Sequence, residues 1–294
     1  MKLANLILAA LLISLTSVVA QPNGVGIELA LEQDQFLPDE ELIAAVRIVN
    51  RSGQTLKLGK EADWLTFSIE SLDKFIVSKI ENPPVQAEFS LESSLAGTKR
   101  VNLTPYFNFA RSGRYTVTAT VKLSQWGTEV TSVAKTFTIM NGTRLQDIEF
   151  GVPLEGTAAQ VPEVRHYILQ QAIFLKQMRL YLRITDATRT KTFKLFALAP
   201  MTSFTKTEAQ LDQFSNLHVL SQTGARSFSY TRINPDGQIL SRETHDYTDT
   251  SRPVLKYNAE GQVRVFGGIR RITSSDLPAP QESVTQTNVK TETP

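Results

Sequence analysis

The chain has 294 residues, 41% of them hydrophobic, 8% aromatic and 20% charged, with a formal net charge of +2. That is ordinary globular composition and excludes a disordered, collagenous or membrane-embedded protein. The chain contains no cysteine, which excludes disulfides, a thiol nucleophile, a thiolate metal site and a thioether-linked lipid.

Residues 1–20 carry Lys2, an apolar run from Leu3 to Leu12, and small residues with Val18 and Ala20 at the −3 and −1 positions of a cleavage site. This is the pattern of a secretory signal peptide, leaving Gln21 as the mature N-terminus. The run is short for a spanning helix and is interrupted by Ser14, Thr16 and Ser17. No later window is long and apolar enough to span, so no transmembrane segment is expected in the mature chain. The expected location is periplasmic or extracellular, in domains held by their cores.

The length suggests two domains. Across 21–140, strand-like alternation occurs at 26–31, 41–50, 64–70, 74–79, 99–104, 113–123 and 130–140, punctuated at Asn50–Gly53, Asn82–Pro84 and Ser112–Gly113. Seven short strands in that length predict a β-sandwich. Residues 36–56, followed by 101–121 with Gly113 and Tyr115 ahead of a long alternating run, resemble bacterial immunoglobulin-like domains. The resemblance covers the N-terminal half, and the chain as a whole resembles secreted bacterial proteins. It implies a fold and says nothing of an activity.

Residues 141–163 lose the alternation and gather Gly and Pro, which predicts a linker. Residues 164–272 form a second β-rich region. Within it, 179–200 and 216–237 share a strand, a turn with Thr, Ala and Arg, a second strand with aromatics, and a proline. Further strands are expected at 166–171, 209–214, 253–258 and 261–268. Leu180 to Leu217 is 37 residues and Leu217 to Val263 is 46, the spacing of a β-meander with weak propeller-blade-like repeats. A closed propeller needs at least about four blades, so this region closes as a smaller sheet, packs on the first domain or self-associates. Pro235-Asp236-Gly237 and Gly261 mark two hairpin turns. Thr205 and Glu208 have capping-box spacing and predict a short helix over Lys206–Phe214. The stretch 273–294 is polar and proline-bearing and reads as a disordered tail.

Charge is unevenly placed. Residues 21–163 hold 13 basic and 18 acidic side chains, whereas 164–272 hold 16 and 8. The arginine-rich second region suits an anionic partner, a protein or a charged glycan, because guanidinium groups pair well with carboxylate and phosphate. Arg226, Arg232, Arg264 and Arg270 are its candidate contacts. The same arginines could instead dock on the acidic first domain or form a solvated sheet face. Export and the acidic first domain disfavour nucleic acid.

No catalytic constellation stands out. Ser71 and Lys74 have the spacing used by penicillin-interacting serine enzymes but lack the companion motifs. Gly53–Lys60 departs from a phosphate loop in spacing and in Glu61. His166, His218 and His245 stand apart, so neither a metal site nor a cofactor is expected. Three functions therefore remain: a non-catalytic interaction or envelope-structural protein, a protease inhibitor using the proline-stiffened segment Glu81–Val85, and a carbohydrate-active enzyme using Glu243, Asp246 or Asp249.

Overall fold

The structure, a computed structural model, describes residues 24–85, 87–152, 163–202 and 205–277. The expected signal peptide and most of the expected tail lie outside them. The described chain is mainly β, built from several open sheets with no α-helix among the described residues.

In the N-terminal half the strands are β1 (Val25–Leu31), β2 (Gln35–Phe36), β3 (Ile43–Asn50), β4 (Leu56–Leu58), β5 (Leu65–Ser71), β6 (Phe89–Leu91), β7 (Ala96–Asn102), β8 (Gly113–Leu123), β9 (Thr128–Thr131) and β10 (Lys135–Ile139). One sheet runs β1-β3-β7; another runs β2-β10-β8-β5, with β9 also on β8 and β2 parallel to β10. Period-two alternation drives both. Tyr115, Val117, Ala119, Val121 and Leu123 of β8 point inward while threonines face out. They meet Ile27, Val46 and Ile48 of the facing sheet in one core that also holds Trp64 and Phe137.

Two expectations change here. Residues 74–79 are not a strand: Phe75 and Val77 do pack on the core, but the segment makes only a single bridge, from Lys79 to Phe107. The alternation there reflects burial on one side without a neighbouring ladder. The run 130–140 is broken in two, because the Ser132 amide and hydroxyl both bind the Ala119 backbone and shift the register between β9 and β10.

The C-terminal half contains β11 (Thr143–Gly151), β12 (Val164–Phe174), β13 (Gln177–Asp186), β14 (Thr192–Pro200), β15 (Glu208–Leu211), β16 (Leu217–Gln222), β17 (Ser227–Ile233), β18 (Ile239–Asp246), β19 (Val254–Tyr257), β20 (Val263–Phe266) and β21 (Ile269–Arg271). They form sheets β11-β12-β13-β14 and β15-β16-β17-β18-β21, plus the hairpin β19-β20. The two repeat-like blocks are thus hairpins in different sheets. The segment expected to be a linker supplies β11, which pairs along β12.

These layers stack. Leu169, Leu180, Leu182 and Ile184 of the first C-terminal sheet pack on Leu217, Val219 and Ile233 of the second. On the second sheet's far face, Leu220, Phe228 and Tyr230 pack under Leu255 and Val263 of the β19-β20 hairpin. The other side of the first sheet meets the N-terminal half, where Leu37 is buried with Ala172, Tyr181 and Leu195. Arg183 spans the same junction, with NH1 2.5 Å from Asp39 Oδ2 and NH2 2.6 Å from the Pro38 carbonyl.

The expected helix over Lys206–Phe214 is instead β15 and its turn. The Glu208 carboxylate, the supposed cap partner, accepts the Leu255 amide at 2.8 Å. Asp212 Oδ1 accepts the amides of Phe214 and Asn216 and closes a hairpin onto β16. A local hairpin with a long-range ladder outcompetes one turn of helix.

Candidate functional site

Strand register assembles a polar cleft on the face of the second C-terminal sheet under the β19-β20 hairpin. His218 pairs across to Arg232 and Arg232 to Ser241, while Tyr230 pairs to Glu243 and Phe228 to His245. Because side chains alternate, these cross-strand partners share one face. The cleft has a volume of about 190 Å³ and is lined by Tyr230, Arg232, Ser241, Glu243, His245, Arg264 and Val265.

Its floor is held by a relay. His218 is buried; its Nε2 lies 3.2 Å from Asp212 Oδ2 and its Nδ1 2.8 Å from the Tyr230 hydroxyl. Burial lowers the His218 pKa, so the ring is neutral at pH 7. Burial pushes the Asp212 carboxyl up, but hydrogen bonds from Asn216, His218 and the backbone outweigh it and keep the group below its ordinary value. An ionised Asp212 only accepts, which places the ring proton on Nε2 and makes Nδ1 the acceptor for the Tyr230 hydroxyl. Burial also pushes the Tyr230 phenol up to about 12. Tyr230 therefore stays protonated, donates to His218 and offers the cleft an oxygen acceptor.

Glu243 is the cleft's carboxylate. Its Oε2 lies 3.2 Å from His245 Nε2 and its Oε1 2.9 Å from Arg270 NH1. The His245 hydrogen bond, opposed by burial and assisted by Arg270, holds it below its ordinary value. Arg232 is the reverse case: its Nε is buried with no hydrogen-bond partner among the described residues. Among the described residues, Arg264 hydrogen-bonds the neutral Gln262 side chain, at 2.9 Å, and no carboxylate. The acidic side chains nearby are already taken by other bases, so two guanidinium groups reach the cleft without a carboxylate partner among the described residues.

Of the four arginines expected from the sequence, Arg232 and Arg264 line the cleft. Arg270 stands behind it, bridging Glu243 and Asp276. Arg226 lies elsewhere, paired with Asp249 at 3.1 Å. The three carboxylates considered for glycoside cleavage do not converge: Glu243 lines the cleft, Asp246 binds Arg271 at 2.7 Å, and the Asp249 side chain is 94% exposed. The proline-bearing segment is anchored, with Pro83 and Val85 buried and Trp64 Nε1 donating to the Val85 carbonyl at 2.7 Å. No group of three or more His, Asp or Glu side chains able to hold a metal occurs among the described residues.

Tyr230, Ser241 and the His218 relay escape sequence reasoning. The one signal was His218 alternating with Leu217 and Val219 on a strand; its partners are set by pairing across residues far apart in the chain. No family model matches this chain, and neither a curated protein nor a solved structure matches it.

Proposed function

We propose that this is an exported, non-catalytic binding protein whose second β region takes an anionic saccharide in the arginine cleft, with an immunoglobulin-like N-terminal half as its companion domain. The observation that carries the reading is the pair Arg232 and Arg264, two guanidinium groups lining one cleft with no carboxylate partner among the described residues, where an anionic ligand would supply the acceptors. Around them stand a phenol oxygen, the Ser241 hydroxyl and the Glu243 carboxylate, groups suited to sugar hydroxyls. The small volume fits a single charged residue of a chain. Support for the N-terminal part comes from its pairing, with β1, β3 and β7 in the places of strands A, B and E and β5, β8 and β10 in those of C, F and G. The Tyr115 hydroxyl also donates to the Arg111 carbonyl at 2.5 Å, as a tyrosine corner does in such sandwiches.

The test is calorimetric titration of the purified protein with oligogalacturonate and with its fully methyl-esterified counterpart. The acidic oligomer should bind and the ester should not, and Arg232→Gln with Arg264→Gln should weaken binding at least about tenfold. Equal binding of acid and ester, or no effect of the double substitution, would remove the cleft from the account.

A further inference from the structure

The opposite face of the same sheet carries a second cavity. Arg242 follows Ser241 along β18, so its side chain points away from the arginine cleft, into the seam between the two C-terminal sheets. There a cavity of about 310 Å³ opens where the shared core ends. Leu198, Ala199 and Pro200 of β14 give it an apolar wall, and the Ser229 and Ser275 side chains add hydroxyls.

We infer that this seam is a second binding site, for a small organic acid with one carboxylate and an apolar body. Arg242 lines this cavity, and its guanidinium makes no hydrogen bond or ion pair with any side chain among the described residues, so the seam presents a cation that an anionic ligand can match. The other base there, Arg271, is already satisfied by Asp246 at 2.7 Å and by the Ser227 hydroxyl at 3.2 Å. One unmatched positive charge selects a monoanion over a phosphate ester. The apolar wall then selects against a fully hydroxylated ligand, which distinguishes this site from the saccharide cleft. Residues 273–277 border the site: Asp276 accepts the hydroxyls of Thr244 and Thr273 at 3.0 and 2.9 Å, and Leu277 exchanges backbone hydrogen bonds with Arg242. A segment that would otherwise be free tail is thereby fixed over Arg242.

The experiment is titration of the purified protein with octanoate, with 1-octanol and with glucuronate. Octanoate should bind, octanol should not, and glucuronate should fail to displace octanoate. Arg242→Gln should weaken octanoate at least about tenfold, whereas Arg232→Gln should leave it unchanged. Should Arg242→Gln not fold, Ala199→Phe fills the apolar wall and should abolish octanoate binding by itself. The inference is overturned by absent octanoate binding, by equal binding of octanol, or by full octanoate affinity in Ala199→Phe. It stands apart from the saccharide reading, since each site has its own probe and its own arginine.

Discussion

Glu40 is buried at the edge of the junction between the halves, its Oε2 accepting the Leu37 amide at 2.7 Å and its Oε1 the Gln33 side chain at 2.9 Å. Burial raises its pKa above 4.5 despite these two hydrogen bonds and the Arg179 charge. Below the ordinary value the carboxyl is protonated in both the folded and unfolded chains. As pH rises through the raised folded value, the unfolded chain ionises more readily and the stability associated with the neutral group is lost. Glu40→Gln keeps a neutral side chain of the same shape, and the Gln33 amide can turn to meet it. The melting temperature of the variant relative to the parent should therefore increase from about pH 4 to about pH 8. A difference that stays flat across that range, followed by scanning calorimetry, would show that ionising Glu40 in the folded protein costs nothing.

At the scale of elements, one turn recurs through the C-terminal half. Asp212, Asn234 and Asn258 each head a hairpin, using the side-chain oxygen to accept the amide four residues on, with the intervening fourth residue at positive φ. Two of these turns were legible because Gly237 and Gly261 occupy the left-handed position. The third was not, because Ser215 occupies it and the preceding Leu211, Asp212 and Gln213 suit a helix equally well. The two glycines give a clean contrast. A Cβ at Gly261 would meet nothing within 4 Å, so Gly261→Ala bears only the left-handed penalty, about 1 kcal/mol. A Cβ at Gly237 would lie 3.1 Å from Ile184 Cδ1, and Ile184 is fully buried. Gly237→Ala should thus cost roughly 2 kcal/mol or more, and urea unfolding of the two variants measures the gap. Equal losses would mean that the Ile184 side chain moves aside freely. The cleft was legible to a lesser degree than the turns. A surplus of arginines is visible in composition, but which of them lacks a carboxylate depends on registers joining β16, β17 and β18.

For the whole molecule, the acidic N-terminal half and basic C-terminal half suggest docking by charge, and the junction does contain such contacts. Arg183 reaches Asp39, and Lys194 lies 3.6 Å from Glu41. Asp39 and both members of the Lys194–Glu41 pair are half exposed, where screening leaves a surface ion pair worth about 1 kcal/mol or less. Leu37 is 1% exposed and packs on Ala172, Tyr181 and Leu195, and truncating a buried leucine costs about 2 to 5 kcal/mol. The apolar contact should therefore dominate, with charge fixing orientation. Leu37→Ala is expected to split the calorimetric unfolding of the protein into two transitions, as each half melts on its own core, while Asp39→Ala should leave a single transition shifted by a few degrees at most. Added salt should reproduce the Asp39→Ala profile and not the Leu37→Ala one, because screening acts on the ion pairs alone. The reverse ranking would make the junction electrostatic. Arg232 and Arg264 line the cleft on the far face of the second C-terminal sheet, away from that junction, and neither pairs with a carboxylate among the described residues, so their charge is better explained by a ligand than by docking of the two halves.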